Sequence, residues 1–369
     1  MMKNNINFLK IIFTIGIMYG HLLQFYLIGQ FYNNAFYQKL YNYTSYSFGY
    51  MCEFFFIISG YFLLKDFNAY DINKFITKKI LRLWPAFLFS IIILYILSRF
   101  SIGPWYDINV IPELFFLNFT VVYGLPTING VSWYITSLFW VSIFYFFVFK
   151  LFNEKSIYIV FFITFFSYLI LFNKVHLYNE PKVFNSFISF YLIRGFAGIG
   201  LGILFRYFII VEESCNVNIK TLFLGLLEVI LLYLIILFLS IKKIDYSFPI
   251  SIVLFSILFY LFIKSMGIFS VILNKDKIII PFLSKYIYTT YIMQWVSFQI
   301  LNKFLYHNQD YGATKYSIFN IIISLVLCFF IGILTYHSLY IIELIIRKII
   351  FNNRSKIKNI LEQERIMNM

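Results

Sequence analysis

Residues 9–25 read LKIIFTIGIMYGHLLQF, an apolar run that contains one lysine and one histidine. The run is apolar enough to lie in a lipid bilayer, where an ionisable side chain is costly and therefore indicates a functional site. Lys10 and His21 are eleven positions apart, close to three whole turns, so both side chains leave one face of a helix, roughly 16 Å apart along its axis. We therefore expect a cation at the membrane edge in line with an imidazole near the midplane.

The composition of the whole chain predicts an integral membrane protein. Of its 369 residues, 61% are hydrophobic and 12% are charged, whereas a soluble domain is about half apolar and a quarter charged. The apolar runs are long and do not alternate with a period of two, which favours helices over a β-barrel. Cys52, Cys215 and Cys328 are scattered, so they predict neither a disulfide framework nor a metal site.

We predict an all-α, polytopic bundle of about ten transmembrane helices, because ten apolar segments approach the length of about 20 residues that crosses the hydrocarbon. The predicted spans are 8–29, 46–64, 83–101, 132–152, 157–173, 190–210, 221–240, 247–264, 279–300 and 318–346. The segment 112–124 is apolar but short and begins with proline. It indicates a re-entrant or interfacial piece, with an eleventh span as the alternative.

Lysine and arginine in the short loops predict the orientation, because cytoplasmic loops carry an excess of these residues. With the N-terminus in the cytoplasm, twenty of the thirty Lys and Arg residues fall on the cytoplasmic side, nine on the other side, and Lys285 within a span. We expect both termini in the cytoplasm, a membrane domain of residues 1–346 and a basic cytoplasmic tail of residues 347–369. The net charge of +14 is explained by the excess of basic residues on the cytoplasmic side. We therefore expect the protein to interact with the bilayer and not with nucleic acid.

A second ionisable group, Glu53, lies inside the second predicted span. In an antiparallel hairpin Glu53 and His21 are both about eleven residues from the cytoplasmic ends of their helices, so they share one depth. Gly49 and Gly60 lie near the face of Glu53, with Ser59 beside them, and small residues let helices approach closely. A carboxylate near an imidazole raises its basicity, as a general base requires. The alternative is a structural pair, or two groups that each bind a backbone carbonyl.

The loop between the second and third spans is short and basic. Lys74, Lys78 and Arg82 recur every four residues, so they form one stripe if this segment is helical. Such a stripe suits anionic lipid head groups or the phosphates of a nucleotide-like cofactor. The general excess of positive charge in cytoplasmic loops is enough to explain the lysines. It explains Arg82 less well, because Arg82 sits against Trp84 and Pro85 at the membrane boundary.

Two later segments carry aromatic and polar side chains. Trp133 and Tyr134 open the fourth span, a position where aromatic residues commonly anchor a helix at the interface. The ninth span contains LSKYIYTTYIMQW, residues 283–295. It brings four large side chains close together on one helix: Tyr288, Tyr291, Gln294 and Trp295.

These residues, in this order, resemble the acyltransferase-3 family of bacterial integral membrane acyltransferases, which includes O-acetyltransferases of O-antigen and other surface polysaccharides. The resemblance spans nearly the whole chain and is most specific in residues 10–85. Many members carry Arg in place of Lys10 and His in place of Gln294. Five motifs support it: Lys10 with His21, Glu53-Phe54-Phe55-Phe56-Ile57-Ile58-Ser59-Gly60, Arg82-Leu83-Trp84-Pro85, Trp133-Tyr134, and Tyr288 to Trp295.

The resemblance implies transfer of an acyl group, with acetyl the first expectation, from cytoplasmic acyl-CoA to a hydroxyl of a cell-surface polysaccharide or lipid-linked glycan at the bacterial inner membrane. It implies no permanently bound cofactor; acyl-CoA is the donor substrate. Direct transfer and a covalent acyl-histidine intermediate are both open. The implied roles are general base for His21, its orientation for Glu53, oxyanion support for Ser59, acyl-CoA binding for Lys10, Lys78 and Arg82, and an acceptor or channel lining for Trp133, Tyr288, Tyr291 and Gln294.

Transport is the competing class of function. A basic ten-span protein that handles polysaccharide would also bury charged residues if it were a flippase, an exporter or a polymerase. The spacing of Lys10 and His21, the motif from Glu53 to Gly60 and the lack of visible inverted repeats favour the enzyme. A third alternative is that the protein is only a structural scaffold in the membrane. That alternative does not explain why His21 and Glu53 are expected at the same depth.

Overall fold

The computed structural model describes residues 4–22, 48–100, 111–118, 127–173, 183–184, 188–209, 219–240, 247–301 and 318–367. The helices in this part of the chain are α1 (Asn4–His21), α2 (Met51–Ala69), α3 (Ile72–Arg99), α4 (Ser132–Phe152), α5 (Ser156–Asn173), α6 (Phe190–Phe208), α7 (Ile219–Ser240), α8 (Ser247–Lys264), α9 (Ile268–Lys275), α10 (Ile279–Leu301) and α11 (Ile318–Met367). Shorter elements are the helical turn Ile111–Leu114, 3-10 turns at Phe48–Tyr50 and Asn153–Lys155, and an antiparallel ribbon of β1 (Val183–Phe184) and β2 (Ile188–Ser189). The prediction of an all-helical protein is confirmed.

Within the described ranges, six segments are long and apolar enough to cross a membrane: Phe48–Phe67, Ile72–Arg99, Ser132–Asn173, Phe190–Phe208, Ile219–Leu239 and Ile321–Ile345. The helices α8 and α9, which meet at 57°, form a seventh if the bent pair is counted as one span. The chain is therefore a multi-pass membrane protein. Six or seven candidates are fewer than the ten predicted spans, partly because Ser132–Asn173 holds two of the predicted spans, α4 and α5.

Helices α1 and α10 fall outside this set because both are rich in polar residues. On α1 the side chains of Asn5 and Thr14 are buried, and on α10 those of Thr290, Gln294 and Ser297 are buried. These groups face other helices and not lipid. Helices of this kind line functional cavities in membrane proteins, so their low hydropathy fits a place at a site.

Glycine brings α2 and α6 into backbone contact. A Cβ atom on Gly60 would lie 2.0 Å from the carbonyl oxygen of Ile199, and one on Gly202 would lie 2.0 Å from that of Ile57. Only a residue without a side chain fits at either position, as is typical of closely packed membrane helices. This contact fixes the depth of α2 against α6, and hence the depth of the polar residues that each helix carries.

The N-terminal end of α1 is held by the connection between α8 and α10. The side-chain amides of Asn4 and Asn5 donate hydrogen bonds to the carbonyl oxygens of Asp276 and Phe262, each at 2.6 Å. Asp276 also caps α10 and accepts the backbone N–H groups of Ile278, Ile279 and Ile280. These amides hold the pKa of the Asp276 carboxyl below its usual value. The helix with the Lys10–His21 column is thus fixed beside the tyrosine-rich helix.

The apolar segment 112–124 forms no spanning helix in its described part. Residues 111–118 make one helical turn, and the buried Glu113 accepts the backbone N–H groups of Ile128 at 2.6 Å and Asn129 at 3.1 Å. The segment is thereby fastened to the start of α4, and residues 119–126 lie outside the described residues.

The last helix does not end at the predicted boundary. Helix α11 continues through residue 346 as far as Met367, so the predicted tail begins as an extension of the last helix. The division into a domain of residues 1–346 and a tail of residues 347–369 stays a prediction.

Candidate active site

His21 ends α1 and forms a hydrogen bond with Gln294 of α10. The distance between His21 Nδ1 and Gln294 Oε1 is 3.1 Å, and Gln294 Nε2 donates to the carbonyl oxygen of Tyr291 at 2.8 Å. The second bond fixes which end of the amide faces the histidine, so the imidazole donates from Nδ1 and its basic nitrogen is Nε2. The ring of Trp295 meets the imidazole edge to face, at 6.2 Å between centroids. Gln294 and Trp295 together set the orientation of the imidazole ring.

Glu53 is paired with a cation inside the bundle. Arg194 of α6 donates from Nε to Glu53 Oε1 at 2.6 Å and from Nη2 to the carbonyl oxygen of Gly49 at 3.1 Å. Glu53 is fully buried and Arg194 is 2% exposed. The guanidinium also lies over the ring of Trp133, 4.3 Å from its centroid, so three elements hold one charge pair.

Arg194 is the site residue that the sequence analysis missed. Arg194 falls inside the predicted span 190–210 and lies on a buried face of α6 that also carries glycines. The available signal was an arginine inside FYLIRGFAGIG, residues 190–200, where a charge among small and apolar residues indicates a buried partner.

Trp133 is buried within the protein. One face of its ring system is stacked on Tyr191 at 4.7 Å between centroids, and its indole also contacts Arg194 as described above. The indole of Trp133 is 8% exposed and packs against other helices, so it contributes to the interior of the bundle, and its place relative to the membrane interface stays a prediction. A role in acceptor binding stays a prediction.

The two predicted catalytic groups lie in two neighbouring constellations. The orienting hydrogen bond of His21 comes from Gln294, and the ion pair of Glu53 is made with Arg194. Gln294 was expected to line an acceptor site or channel, so its contact with the imidazole adds a role. The orientation of His21 by Glu53 stays a prediction.

An elongated cavity of about 710 Å³ lies between α1, α2, α3, α4, α6 and α10. Small-molecule sites commonly have volumes of about 300–1,000 Å³. Six cationic residues and one acidic residue line this cavity: Lys10, Lys65, Lys79, Arg82, Arg206 and Lys285, against Asp66. Such an excess of positive charge in a concave, partly enclosed surface suits a polyanionic ligand.

Five of the predicted site residues line the cavity: Lys10, Ser59, Arg82, Tyr288 and Tyr291. The lining does not include His21, Glu53, Trp133 or Gln294. It does not include Lys78 either, whose Nζ lies 2.7 Å from Asp66 Oδ1. The next residue, Lys79, takes its place in the wall.

The lining residues follow a consistent order along the helices. On α2 the cavity runs from Asp66 to Cys52, fourteen positions or roughly 20 Å of helix. On α1 it ends at Thr14, two turns before His21, and on α10 it ends at Tyr291, one turn before Gln294. The cations thus lie towards one end of the cavity, while the imidazole lies beyond the other.

Comparison with known proteins gives one match. A family model described as an acyltransferase domain matches residues 3–337. No curated protein and no solved structure matches the chain. The matched range covers every helix that lines the cavity or carries the two constellations.

Proposed function

The chain belongs to the acyltransferase-3 family and is a membrane enzyme that acts on acyl groups, and from this premise we propose its donor and acceptor. It transfers a short acyl group, acetyl in the first place, from acyl-CoA to a hydroxyl of a cell-surface polysaccharide or lipid-linked glycan. It works in the inner membrane of a bacterium, with both termini in the cytoplasm. A glycan flippase, exporter or polymerase is not favoured by any contact described above.

The cation-lined cavity is the observation that carries this proposal. Coenzyme A is a polyanion with phosphates at one end and a thioester at the end of a long, flexible arm. Arg82 offers a planar guanidinium that matches phosphate oxygens in pairs, and the lysines add point charges around it. The cavity follows α2 for roughly 20 Å, so a ligand bound by its phosphates among the cations can extend its other end towards Tyr291.

The arrangement supports acid–base catalysis with the donor and acceptor on opposite sides. The acceptor hydroxyl approaches from the side of His21 and gives its proton to Nε2 as its oxygen attacks the thioester carbon. A C–O bond forms, the C–S bond breaks, and the CoA sulfur leaves with the proton returned from the imidazolium. Gln294 keeps the ring in the required tautomer. Glu53 is neutralised by Arg194, so the part that the pair plays is to hold α2 and α6 in place beside the helices of the site.

Two adjacent lysines provide the first test. We expect Lys79→Ala to weaken CoA binding about tenfold, because a charged contact to phosphate is lost. Lys78→Ala is the matched control and should stay within about twofold, because Lys78 does not line the cavity and its side chain is 42% exposed in its pair with Asp66. The measurement is calorimetric titration of CoA into detergent-purified protein. Equal losses in both variants, or no CoA binding by the wild type, would contradict the donor assignment.

The second test separates chemistry from binding. His21→Ala should bind CoA as the wild type does but should lose transfer of label from radioactive acetyl-CoA to the glycan fraction of membranes from the source bacterium. Because His21 lies outside the cavity lining, its loss leaves the donor site intact. Near-normal transfer by this variant would show that His21 is not the base.

A further inference from the structure

Two buried hydroxyl groups lie at the end of the cavity that is nearer to His21. Thr14 Oγ1 and the Tyr291 hydroxyl form no hydrogen bond with a nitrogen or oxygen atom of the described residues, and the group beside Tyr291 is the weakly hydrogen-bonding thiol of Cys52. Both residues line the cavity, and they are 0% and 6% exposed. A buried donor without a partner is costly, and a ligand that supplies an acceptor oxygen removes that cost.

Another hydroxyl of the same wall is already satisfied within the protein. Tyr288, one turn along α10 towards the cations, donates to the carbonyl oxygen of Leu83 at 2.6 Å. Its bond ties α10 to α3 and leaves its hydroxyl no need of a ligand. Of these two tyrosines on α10, Tyr291 is therefore the one whose hydroxyl could still bind a ligand. It lies next to the helical turn that holds Gln294.

Aromatic rings close the cavity at the same place. The rings of Tyr134 and Tyr291 meet edge to face at 5.6 Å between centroids, and Tyr134 also packs against Phe56 at 4.6 Å. Tyr134 is 8% exposed, and α1 and α10 continue past this point to His21 and Gln294. The rings of Tyr134 and Tyr291 bound the space at this end, and Thr14 and Tyr291 contribute two buried hydroxyl groups to its wall.

We propose that this end of the cavity is a pocket for a short, uncharged acyl thioester. Tyr291 and Thr14 donate hydrogen bonds to its carbonyl oxygen, and the rings of Tyr134 and Tyr291 limit the acyl chain to a few carbons. The proposal rests on the proposed function and narrows its donor to acetyl-CoA and similarly small acyl-CoA molecules.

The pocket also has a part in the reaction. When the acceptor oxygen bonds to the carbonyl carbon, the electron pair of the C=O bond moves onto the carbonyl oxygen, where the two hydroxyl groups stabilise the negative charge. The pair returns as the C–S bond breaks and the CoA sulfur takes the proton from His21. This is the role that the sequence analysis gave to Ser59, which lies two turns from Cys52 on the cation side of the cavity.

Binding alone tests the hydroxyl groups, without knowledge of the acceptor. CoA and acetyl-CoA are titrated into detergent-purified wild type, Tyr291→Phe and Thr14→Val. We expect the wild type to bind acetyl-CoA about fivefold more tightly than CoA, since a neutral hydrogen bond contributes about that much. Tyr291→Phe should abolish the preference and leave the CoA affinity unchanged, and Thr14→Val should reduce the preference. In infrared spectra the stretch of a 13C-labelled thioester carbonyl should shift to lower frequency on binding to the wild type but not to Tyr291→Phe.

The chain offers matched controls for both substitutions. Tyr168 and Thr164 on α5 also have buried hydroxyl groups without a partner in the described residues, and neither residue lines the cavity. Tyr168→Phe and Thr164→Val should keep the wild-type preference for acetyl-CoA. A loss in these controls equal to that in Tyr291→Phe and Thr14→Val would overturn the proposal.

Acyl length tests the aromatic closure. The wild type should bind butyryl-CoA at least tenfold more weakly than acetyl-CoA, because each methylene that does not fit a closed pocket is strongly rejected. Tyr134→Ala should bring the two affinities within about twofold, and an unchanged affinity for CoA shows that the variant is folded. If the wild type binds CoA, acetyl-CoA and butyryl-CoA equally, the pocket is overturned while the proposed function stands. If it binds none of them, the proposed function itself fails.

Discussion

Arg194 neutralises Glu53 in a part of the bundle that water does not reach. Both partners are almost completely buried, and removal of one partner from such a pair commonly costs about 3–5 kcal/mol, because the other charge is left uncompensated. Replacement of both partners by neutral groups is far less costly. This single ion pair therefore fixes the position of α2 relative to α6 along the bundle.

A double-mutant cycle tests the energetics of this pair. We expect Arg194→Met alone to destabilise the protein by about 3–5 kcal/mol. Glu53→Gln combined with Arg194→Met should recover more than half of that loss, since no buried charge remains. Thermal unfolding in detergent, followed by circular dichroism, measures both. Strict additivity of the two single changes would mean that the two residues do not act as a pair.

At the residue scale the sequence predicted positions better than partners. Lys10, Arg82 and Tyr291 were identified from motif and spacing, and all three line the cavity. Lys78 and Lys79 differ by about 100° around the helix, and spacing alone gives a stripe without saying which stripe faces inward. The pairing of Glu53 with Arg194 joins residues 141 positions apart, and only the packing of α2 against α6 brings them together.

At the scale of helices, the glycine contact between α2 and α6 positions the site. Gly60→Ala should destabilise the protein by about 1–3 kcal/mol and lower transferase activity, because the new methyl group would meet the carbonyl of Ile199 and push the helices apart. Gly49→Ala is the control, since a Cβ atom there has no neighbour within 4 Å. It should change stability by no more than about 0.5 kcal/mol. Equal unfolding temperatures for the two variants would show that the close contact is not required.

Helix boundaries were predictable where hydropathy changes sharply, as at α4, α5 and α8. The start of α3 was not, because its first turns are basic and were read as a loop. The helix begins at Ile72, where the side chain of Asp71 caps it by accepting the backbone N–H of Lys74 at 2.8 Å. Helix α9 was missed for a related reason: it is eight residues long and is set off from α8 by a bend that the apolar pattern does not record. Capping and bends depend on single residues, whereas hydropathy averages over many.

At the scale of the whole molecule, the two ends of the chain are expected on one side of the membrane. A fluorescent protein fused after Met369 should fluoresce, and alkaline phosphatase at the same place should be inactive, because twenty of the thirty basic residues lie on the predicted cytoplasmic side. A phosphatase fusion within residues 241–246, a predicted outer loop, is the control and should be active. Active phosphatase at the C-terminus would reverse the orientation or require an odd number of spans.

The number of spans is the global property that hydropathy settles least well in this protein. The lipid-facing helices, such as α7, pass a test of length and composition, whereas α1 and α10 do not. Helices α1 and α10, which hold His21 and Gln294, carry buried polar groups that lower the mean hydropathy, whereas α2 and α3 also line the cavity and still pass the test. Two of the helices around the site are therefore missing from the candidates, although they pack inside the bundle.

The aromatic closure between the cavity and His21 bears on what happens when no acceptor is present. A general base that lay open to a bound thioester would activate water as readily as a sugar hydroxyl. Under the proposed function, the rings of Tyr134 and Tyr291 at this end of the cavity would shield a bound thioester from water until an acceptor hydroxyl reaches His21. On the proposed donor and acceptor, the thioester would then stay intact when no acceptor is present, and hydrolysis would not consume acyl-CoA.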